Sequence, residues 1–172
     1  MKREQALSGR HAGQTATIVG RGPSLLALTA ADFGGGPVLV LNHAIEHVRR
    51  LALRHPLYSL QKDGCLAPPQ APETLILSAA QSARCFPTYA PRYVIDVRQL
   101  GLPVQAMSST LAVALAHHMG CRSVRMLAMD SRLGDFRTVV GNELRTVGTG
   151  YLWAIKQATR YAARYRIEVE WA

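Results

Sequence analysis

Short apolar runs alternate with segments of helical spacing along most of the chain. Because several consecutive apolar residues are typical of strands that are buried on both faces, the runs predict strands. The segments between them carry apolar residues three and four positions apart, which predicts helices. The predicted strands are 15–19, 38–41, 57–60, 74–77, 93–97, 123–129 and 167–171, and the predicted helices are 24–31, 44–53, 108–119 and 151–164.

This order predicts an α/β fold in which a mostly parallel sheet carries helices on both faces. Residues 1–14 are polar and basic and are expected to form a flexible leader, so that a single domain covers 15–172. The proline-containing segment 61–73 reads as a loop, and 79–91 has no clear assignment. Residues 131–150 contain four glycines and no strong period, which predicts a long loop of the kind that often carries function.

The charge balance of the 172 residues is strongly basic, at +9. Seventeen of the 20 basic residues are arginine, whose planar guanidinium binds phosphate and carboxylate through paired hydrogen bonds. A GC-rich genome also produces an arginine excess without any function, so both explanations stay open. Only 11 residues are acidic, which argues against a glycosidase with two catalytic carboxylates.

The cysteine pattern indicates reduced thiols. Cys65, Cys85 and Cys121 are odd in number and form no C-x-x-C pair, so neither a disulfide framework nor a structural zinc site is expected. Reduced thiols are typical of a cytoplasmic protein. The polar N-terminus has no apolar stretch of a secretory signal, and no apolar window of about 18 residues predicts a membrane span.

Polar residues follow several predicted strands, and ligands of a parallel sheet bind beyond these carboxyl ends. A glycine turn and a helix start can hold an anion on backbone amides. The candidate substrate-binding residues are Gly20, Arg21, Gly22 and Ser24 after the first strand, Asn42 after the second, Ser108, Ser109 and Thr110 at a helix start, and Asp130 after a later strand. His43, beside Asn42, is the candidate catalytic base.

Each candidate also has a structural interpretation. The glycine turn can simply join a strand to a helix, Asn42 can cap a strand end, and Asp130 can stabilise its own turn. The turn lacks the third glycine of the dinucleotide-binding fingerprint, and the chain has neither a P-loop nor a G-x-S-x-G elbow. His117 and His118 point about 100° apart on a helix, so no metal site is expected there.

The segment Ile18–Leu25 resembles the I-x-G-N-G-P-S-L opening of a Rossmann-like family. That family includes the glycosyltransferase family 42 sialyltransferases and the domain-of-unknown-function-115 proteins, some of which are pterin pyrophosphokinases. Four further segments resemble later motifs of the family in the same order, namely Val40–His43, Ser108–Gly120, Val124–Asp130 and Val147–Gly150.

The resemblance implies a Rossmann-like three-layer α/β/α fold and a cytidine-monophosphate sugar as the donor. By position, it gives donor-binding roles to Gly20, Gly22, Ser24, Asn42, Ser109 and Asp130. Two positions depart from the family pattern. Arg21 replaces the asparagine between the glycines, and Thr149 stands where the family has its acceptor-activating histidine.

Two functions of different class therefore follow. One is a transferase that uses a nucleotide-activated small-molecule donor, most simply a sialyltransferase-like glycosyltransferase, with a pyrophosphokinase-like transferase as an alternative. The other is a non-catalytic nucleotide- or sugar-phosphate-binding accessory protein. No cofactor is expected, and a homo-oligomer stays open. Binding of nucleic acid through the arginines is a third, weaker interpretation, because aromatic residues make up only 6% of the chain.

Overall fold

The computed structural model describes residues 2–62, 74–78 and 92–172. Most of the predicted loop 61–73 lies outside these described residues. The unassigned segment 79–91 and the cysteines Cys65 and Cys85 lie outside them as well.

A parallel sheet forms the centre of the fold and confirms the predicted α/β class. Within the described residues this sheet has eight strands in the order β1-β6-β5-β4-β3-β2-β7-β10, and every neighbouring pair among them is parallel. The strands of this sheet are β1 (Lys2–Arg3), β2 (Thr15–Val19), β3 (Val38–Leu41), β4 (Leu57–Gln61), β5 (Thr74–Ser78), β6 (Arg92–Ile95), β7 (Ser123–Leu127) and β10 (Glu168–Trp171).

The helical connections pack on this sheet. The α-helices of the described residues are α1 (Ile45–Val48), α2 (Ser108–His118) and α3 (Gly150–Arg164). Short 3-10 turns cover Glu4–Leu7, Pro23–Ala27, Ala30–Asp32, Asn42–Ala44, Arg49–Leu51, Val97–Leu100 and Asp130–Leu133. Within the same residues, no helix combines the length and the apolar character that crossing a bilayer requires.

The predicted helix 24–31 is wrong, because two 3-10 turns take its place. The Asp32 carboxylate accepts hydrogen bonds from the amide and the hydroxyl of Thr29, at 2.7 and 2.9 Å. This local capping competes with continuous helical hydrogen bonding and interrupts the segment. The predicted helix 44–53 is likewise reduced to one turn of α-helix with a 3-10 turn on either side, and it ends where Ala52 adopts a left-handed φ of 49°.

Both faces of the sheet are covered, which makes the fold Rossmann-like with three layers. Along β2, Ala16 and Ile18 face the cluster that contains α2 and α3, whereas Val19 faces the cluster that contains α1. Leu39 and Val40 of β3 divide between the same two clusters. Since successive side chains of a strand point to opposite faces, double coverage explains the uninterrupted apolar runs.

The first residues of the chain are packed, which differs from the flexible leader that was expected. The Leu7 side chain is fully buried, and the buried His11 Nε2 lies 2.7 Å from the Tyr58 hydroxyl. The amides of Gly9 and His11 donate to carbonyl groups at the end of α2. One buried leucine in a polar segment has no periodicity, so hydrophobic patterning does not reveal this packing.

The long loop predicted for 131–150 contains a β-hairpin, so this prediction is wrong. Strands β8 (Arg137–Val140) and β9 (Glu143–Thr146) pair antiparallel around a turn at Gly141 and Asn142. Gly141 has a φ of 61°, which favours glycine. A two-residue glycine-containing turn between residues of high strand propensity is a hairpin signal that the sequence does carry.

Candidate functional site

A cavity of about 230 Å³ opens at the carboxyl ends of β2 and β7. The chain leaves β2 toward β3 on one side, whereas β7 lies on the other side of β2. This reversal is the topological switch point at which open α/β sheets bind their ligands.

The lining of the cavity combines polar and apolar residues. Its polar residues are Arg21, Asn42, Ser108, Ser109, Asp130, Ser131, Arg137, Thr138 and Tyr151. Its other residues are Gly20, Gly22, Leu41, Met107, Ala128, Met129, Val147, Ala154 and Ile155. Seven of the predicted site residues therefore meet here, namely Gly20, Arg21, Gly22, Asn42, Ser108, Ser109 and Asp130.

The glycine turn is tied to the turn after β7 by backbone hydrogen bonds. The Gly20 amide donates to the Leu127 carbonyl at 2.9 Å, and the Gly22 amide donates to the Ala128 carbonyl at 2.8 Å. A Cβ atom on Gly22 would overlap the Asp130 carboxylate. Both glycines are thus required by the close approach of two turns, which is the structural interpretation of the motif.

Ser24 lies behind the cavity wall and holds Asp130 in place. Its hydroxyl and its amide donate to Asp130 Oδ2, at 2.8 and 3.3 Å. Because the amides of Gly20, Gly22 and Ser24 all have acceptors within the protein, the turn differs from the open anion seat that its sequence suggests.

Asn42 connects three elements at the cavity floor. Its Oδ1 accepts a hydrogen bond from the Lys62 amide at 3.1 Å, and its carbonyl accepts one from Gln61 Nε2 at 2.9 Å. Its Nδ2 also lies 3.4 Å from the Ser108 hydroxyl at the start of α2. Asn42 has a left-handed φ of 47°, a conformation that asparagine tolerates better than most residues.

The start of α2 presents Ser108 and Ser109 to the cavity, and neither serine is the N-cap residue of this helix. Met107 occupies the N-cap position, and its amide donates to Gln157 Oε1 at 2.9 Å. The hydroxyls of Ser109 and Thr110 bond α3, through the Ala154 carbonyl and Gln157 Oε1. Thr110 does not line the cavity. The first amides of a helix have no intrahelical acceptor, so this end of the cavity favours negative charge.

Two arginines and a tyrosine form the mouth of the cavity, defined here as Arg21, Arg137 and Tyr151. Arg137 binds the Asp135 carboxylate through Nε and Nη2, at 2.8 and 2.6 Å, and these hydrogen bonds hold the pKa of Asp135 below its usual value. Arg21 Nη2 instead lies 3.4 Å from the neutral Tyr151 hydroxyl. Its guanidinium has no carboxylate partner among the described residues.

The hairpin and α3 bring Arg137, Thr138 and Tyr151 to the site, and sequence reasoning missed all three. The Arg21 carbonyl accepts hydrogen bonds from the Val139 amide at 2.8 Å and the Thr138 hydroxyl at 3.2 Å. These bonds place the hairpin beside the glycine turn. The only signal for Tyr151 is its position at a helix start directly after a glycine-containing segment.

His43 is not placed at the cavity. Its Nδ1 lies 3.7 Å from Glu46 Oε1, its side chain is 41% exposed, and it does not contribute to the lining. Thr149 is exposed at the start of α3 and does not line the cavity either. No histidine lies among the lining residues, and the part of the chain that the structure describes contains no cluster of three metal-ligating side chains.

No protein-family model matches the chain, and no curated protein matches it. The family resemblance thus rests on the motif residues alone.

Proposed function

We propose that the cavity binds the nucleotide part of an activated donor, and that the protein is a sialyltransferase-like glycosyltransferase whose donor is a cytidine-monophosphate sugar. The observation that carries the proposal is the position of Arg21. An arginine with no carboxylate partner among the residues that the structure describes stands at the mouth of a cavity at the switch point of the sheet. Guanidinium groups in this situation bind phosphate oxygens well.

The shape of the cavity fits a nucleotide better than a small inorganic anion. Met107, Met129 and Ile155 offer an apolar surface for a planar base, while Ser108 and Asn42 offer polar groups to its edge. A volume of about 230 Å³ is smaller than the roughly 300–1,000 Å³ that encloses a drug-sized ligand. The cavity therefore encloses part of the donor, and the sugar extends through the mouth.

The charges of the lining favour one phosphodiester over a chain of phosphates. Asp135 neutralises Arg137, and Asp130 adds a negative charge to the wall. Arg21 and the start of α2 remain as the positive contributions. A cytidine-monophosphate sugar carries one negative charge on its phosphate, whereas the triphosphate needed for pyrophosphoryl transfer carries several. This balance argues against the pyrophosphokinase-like alternative.

Glycosyl transfer would break the bond between the anomeric carbon and the phosphate oxygen and form a bond to an acceptor hydroxyl. The released phosphate gains negative charge, which Arg21 would stabilise at the mouth. The acceptor hydroxyl would give its proton to a base in this step. Asp130 is the carboxylate in the lining that would take it, and its Oδ2 already accepts hydrogen bonds from Ser24. The lack of a histidine in the lining favours the second candidate function, which is nucleotide binding without catalysis.

A thermal-shift panel of cytidine, uridine and adenine nucleotides, cytidine-monophosphate sugars and pterins tests the binding. A ligand at a hundred times its dissociation constant should stabilise the fold by about 2.7 kcal/mol, which raises the melting temperature by roughly 5–10 °C for a domain of this size. Arg21→Gln should weaken the response, while Arg50→Gln removes the same charge from an exposed site and should leave the response unchanged. No response to any compound of the panel would contradict the proposal.

Turnover separates the two candidate functions. A transferase should hydrolyse a cytidine-monophosphate sugar slowly in the absence of an acceptor, and Arg21→Gln should reduce this hydrolysis. Binding without hydrolysis across the donor panel would support the accessory protein instead.

A further inference from the structure

The exposed side of α3 carries a row of basic residues that the proposed function does not use. We call Trp153, Lys156, Arg160 and Arg164 the basic face. Residues three and four positions apart lie on one side of a helix, so these four side chains form a single row. With a rise of 1.5 Å per residue, the row is about 16 Å long and its cations follow each other at about 6 Å.

The side chains of the basic face are available to a partner. Trp153 is 51% exposed, and the three cationic residues are exposed as well. None of the three forms an ion pair with any residue that the structure describes. Helix α3 also contains no acidic residue, so the helix itself supplies no carboxylate to balance the row.

The acidic residues that follow α3 in sequence point away from the basic face. Val169 and Trp171 of β10 pack against the core cluster that includes residues of α3. Because strand residues alternate between faces, Glu168 and Glu170 lie on the opposite side of the sheet. Glu170 confirms this orientation, since it pairs there with Arg125 at 3.1 Å. The positive charge of the basic face is therefore not neutralised by its nearest acids in sequence.

The basic face is separate from the cavity. Tyr151, Ala154 and Ile155 of the same helix line the cavity. At 100° per residue, they lie on the other side of α3 from the row of Trp153, Lys156 and Arg160. A ligand of the basic face consequently leaves the cavity open.

We propose that the basic face binds single-stranded nucleic acid. A row of cations about 6 Å apart suits a linear polyanion with one charge per repeat, and Trp153 at one end offers a ring on which an unpaired base can stack. A membrane surface suits it less well, because the apolar side of α3 is buried in the core and Trp153 is the one large apolar side chain in the row.

Fluorescence anisotropy with a labelled 12-nucleotide single-stranded oligonucleotide tests the proposal at several salt concentrations. Three phosphate contacts predict a slope of log affinity against log salt of about −2. The triple variant Lys156→Gln, Arg160→Gln, Arg164→Gln should lose this salt-dependent binding. Its matched control, Arg50→Gln, Arg54→Gln, Arg122→Gln, removes the same charge from other exposed positions and should retain it.

Trp153→Ala should weaken binding about tenfold or more, since stacking on an aromatic side chain contributes about 1–3 kcal/mol per base, and Trp153→Phe should restore most of it. No binding, an equal loss in the two triple variants, or a preference for duplex DNA would overturn the proposal. Tighter binding to phosphatidylserine vesicles or to an anionic polysaccharide would overturn it as well. The triple variant should keep the nucleotide response of the cavity, so this test fails or succeeds independently of the proposed function.

Discussion

The two sides of the cavity are built in different ways. On the turn side, the amides of Gly20 and Gly22 donate to carbonyl groups at the end of β7, the Ser24 hydroxyl donates to Asp130, and neither glycine has room for a Cβ atom. At the mouth, the guanidinium of Arg21 has one side-chain hydrogen bond within the described residues, a long contact of 3.4 Å to the neutral Tyr151 hydroxyl. The glycine turn, which has the strongest motif signal in the sequence, thus stabilises the fold. Arg21, which replaces the asparagine of the motif that the turn resembles, is the group best suited to bind a ligand.

This comparison predicts separable effects. Substitutions on the turn side should reduce stability, and any effect on ligand binding should follow from that loss. Substitutions at the mouth should reduce ligand affinity and leave stability unchanged.

Gly22→Ala should have the largest effect, because its Cβ atom would overlap the Asp130 carboxylate. Steric overlap in a packed site costs about 3 kcal/mol, which lowers the melting temperature by roughly 6–12 °C. Gly35→Ala is the control, since no atom lies within 4 Å of a Cβ at that position. If Gly22→Ala left the melting temperature unchanged and abolished the nucleotide response, the main role of the turn would be to contact the ligand, which would contradict this prediction.

Asp130→Ala should destabilise the protein by about 2 kcal/mol, because the Ser24 hydroxyl and amide lose their acceptor. Asp130→Asn keeps an acceptor oxygen and should be clearly milder in a chemical denaturation series. If the two variants were equally stable and differed only in nucleotide affinity, the main role of Asp130 would be to bind the ligand and not to stabilise the turn.

Arg21→Gln should weaken nucleotide binding about tenfold, which is the usual contribution of a hydrogen bond to a charged group. Arg21→Lys should recover only part of the affinity, because an ammonium cannot reproduce the paired contact. Calorimetric titration measures the affinities, and the melting temperatures should match that of the unmodified protein. A melting temperature lowered by several degrees would contradict the division between mouth and turn.

Lowering the pH should have the smallest effect. It should reduce the stability of the fold through His11, which does not line the cavity. Burial lowers the pKa of His11 below its usual 6.5, so folding favours the neutral ring. The stability associated with His11 is fully present above pH 6.5 and falls as the pH drops toward the lowered pKa. Denaturation curves of the protein and of His11→Gln should converge as the pH falls below 6.5. Parallel curves would assign the acid sensitivity to other groups.

The architecture follows from the sequence because parallel strands buried on both faces need continuous apolar runs. The runs at Val38–Leu41 and Thr15–Val19 coincide with β3 and β2. Helix α2 begins at Ser108 as predicted, and Gly120 beyond its end has a left-handed φ of 82°. These features depend on the local pattern of apolar residues and on the conformational preference of glycine, and both can be read from the sequence.

The rest of the site depends on tertiary contacts that no local pattern encodes. The strand-end rule places Asn42 and Asp130 at the cavity, yet it also places His43 there, and a single 3-10 turn carries that side chain toward Glu46 instead. Arg137 and Tyr151 reach the mouth through a hairpin and a helix that are far from the glycine turn in sequence. The packing of Leu7 and His11 against the end of α2 also depends on tertiary contacts, so the sequence pattern does not predict it.

Calorimetric titration of cytidine monophosphate into the protein and into Val147→Trp tests the nucleotide site most directly. Val147 is half-buried in the cavity lining, so a tryptophan there should fill the space that the base requires. Val104→Trp adds the same ring at an exposed position outside the lining. We expect saturable binding of one nucleotide per chain to the protein and to Val104→Trp, and none to Val147→Trp. Equal binding to all three proteins, or binding to none, would contradict the account.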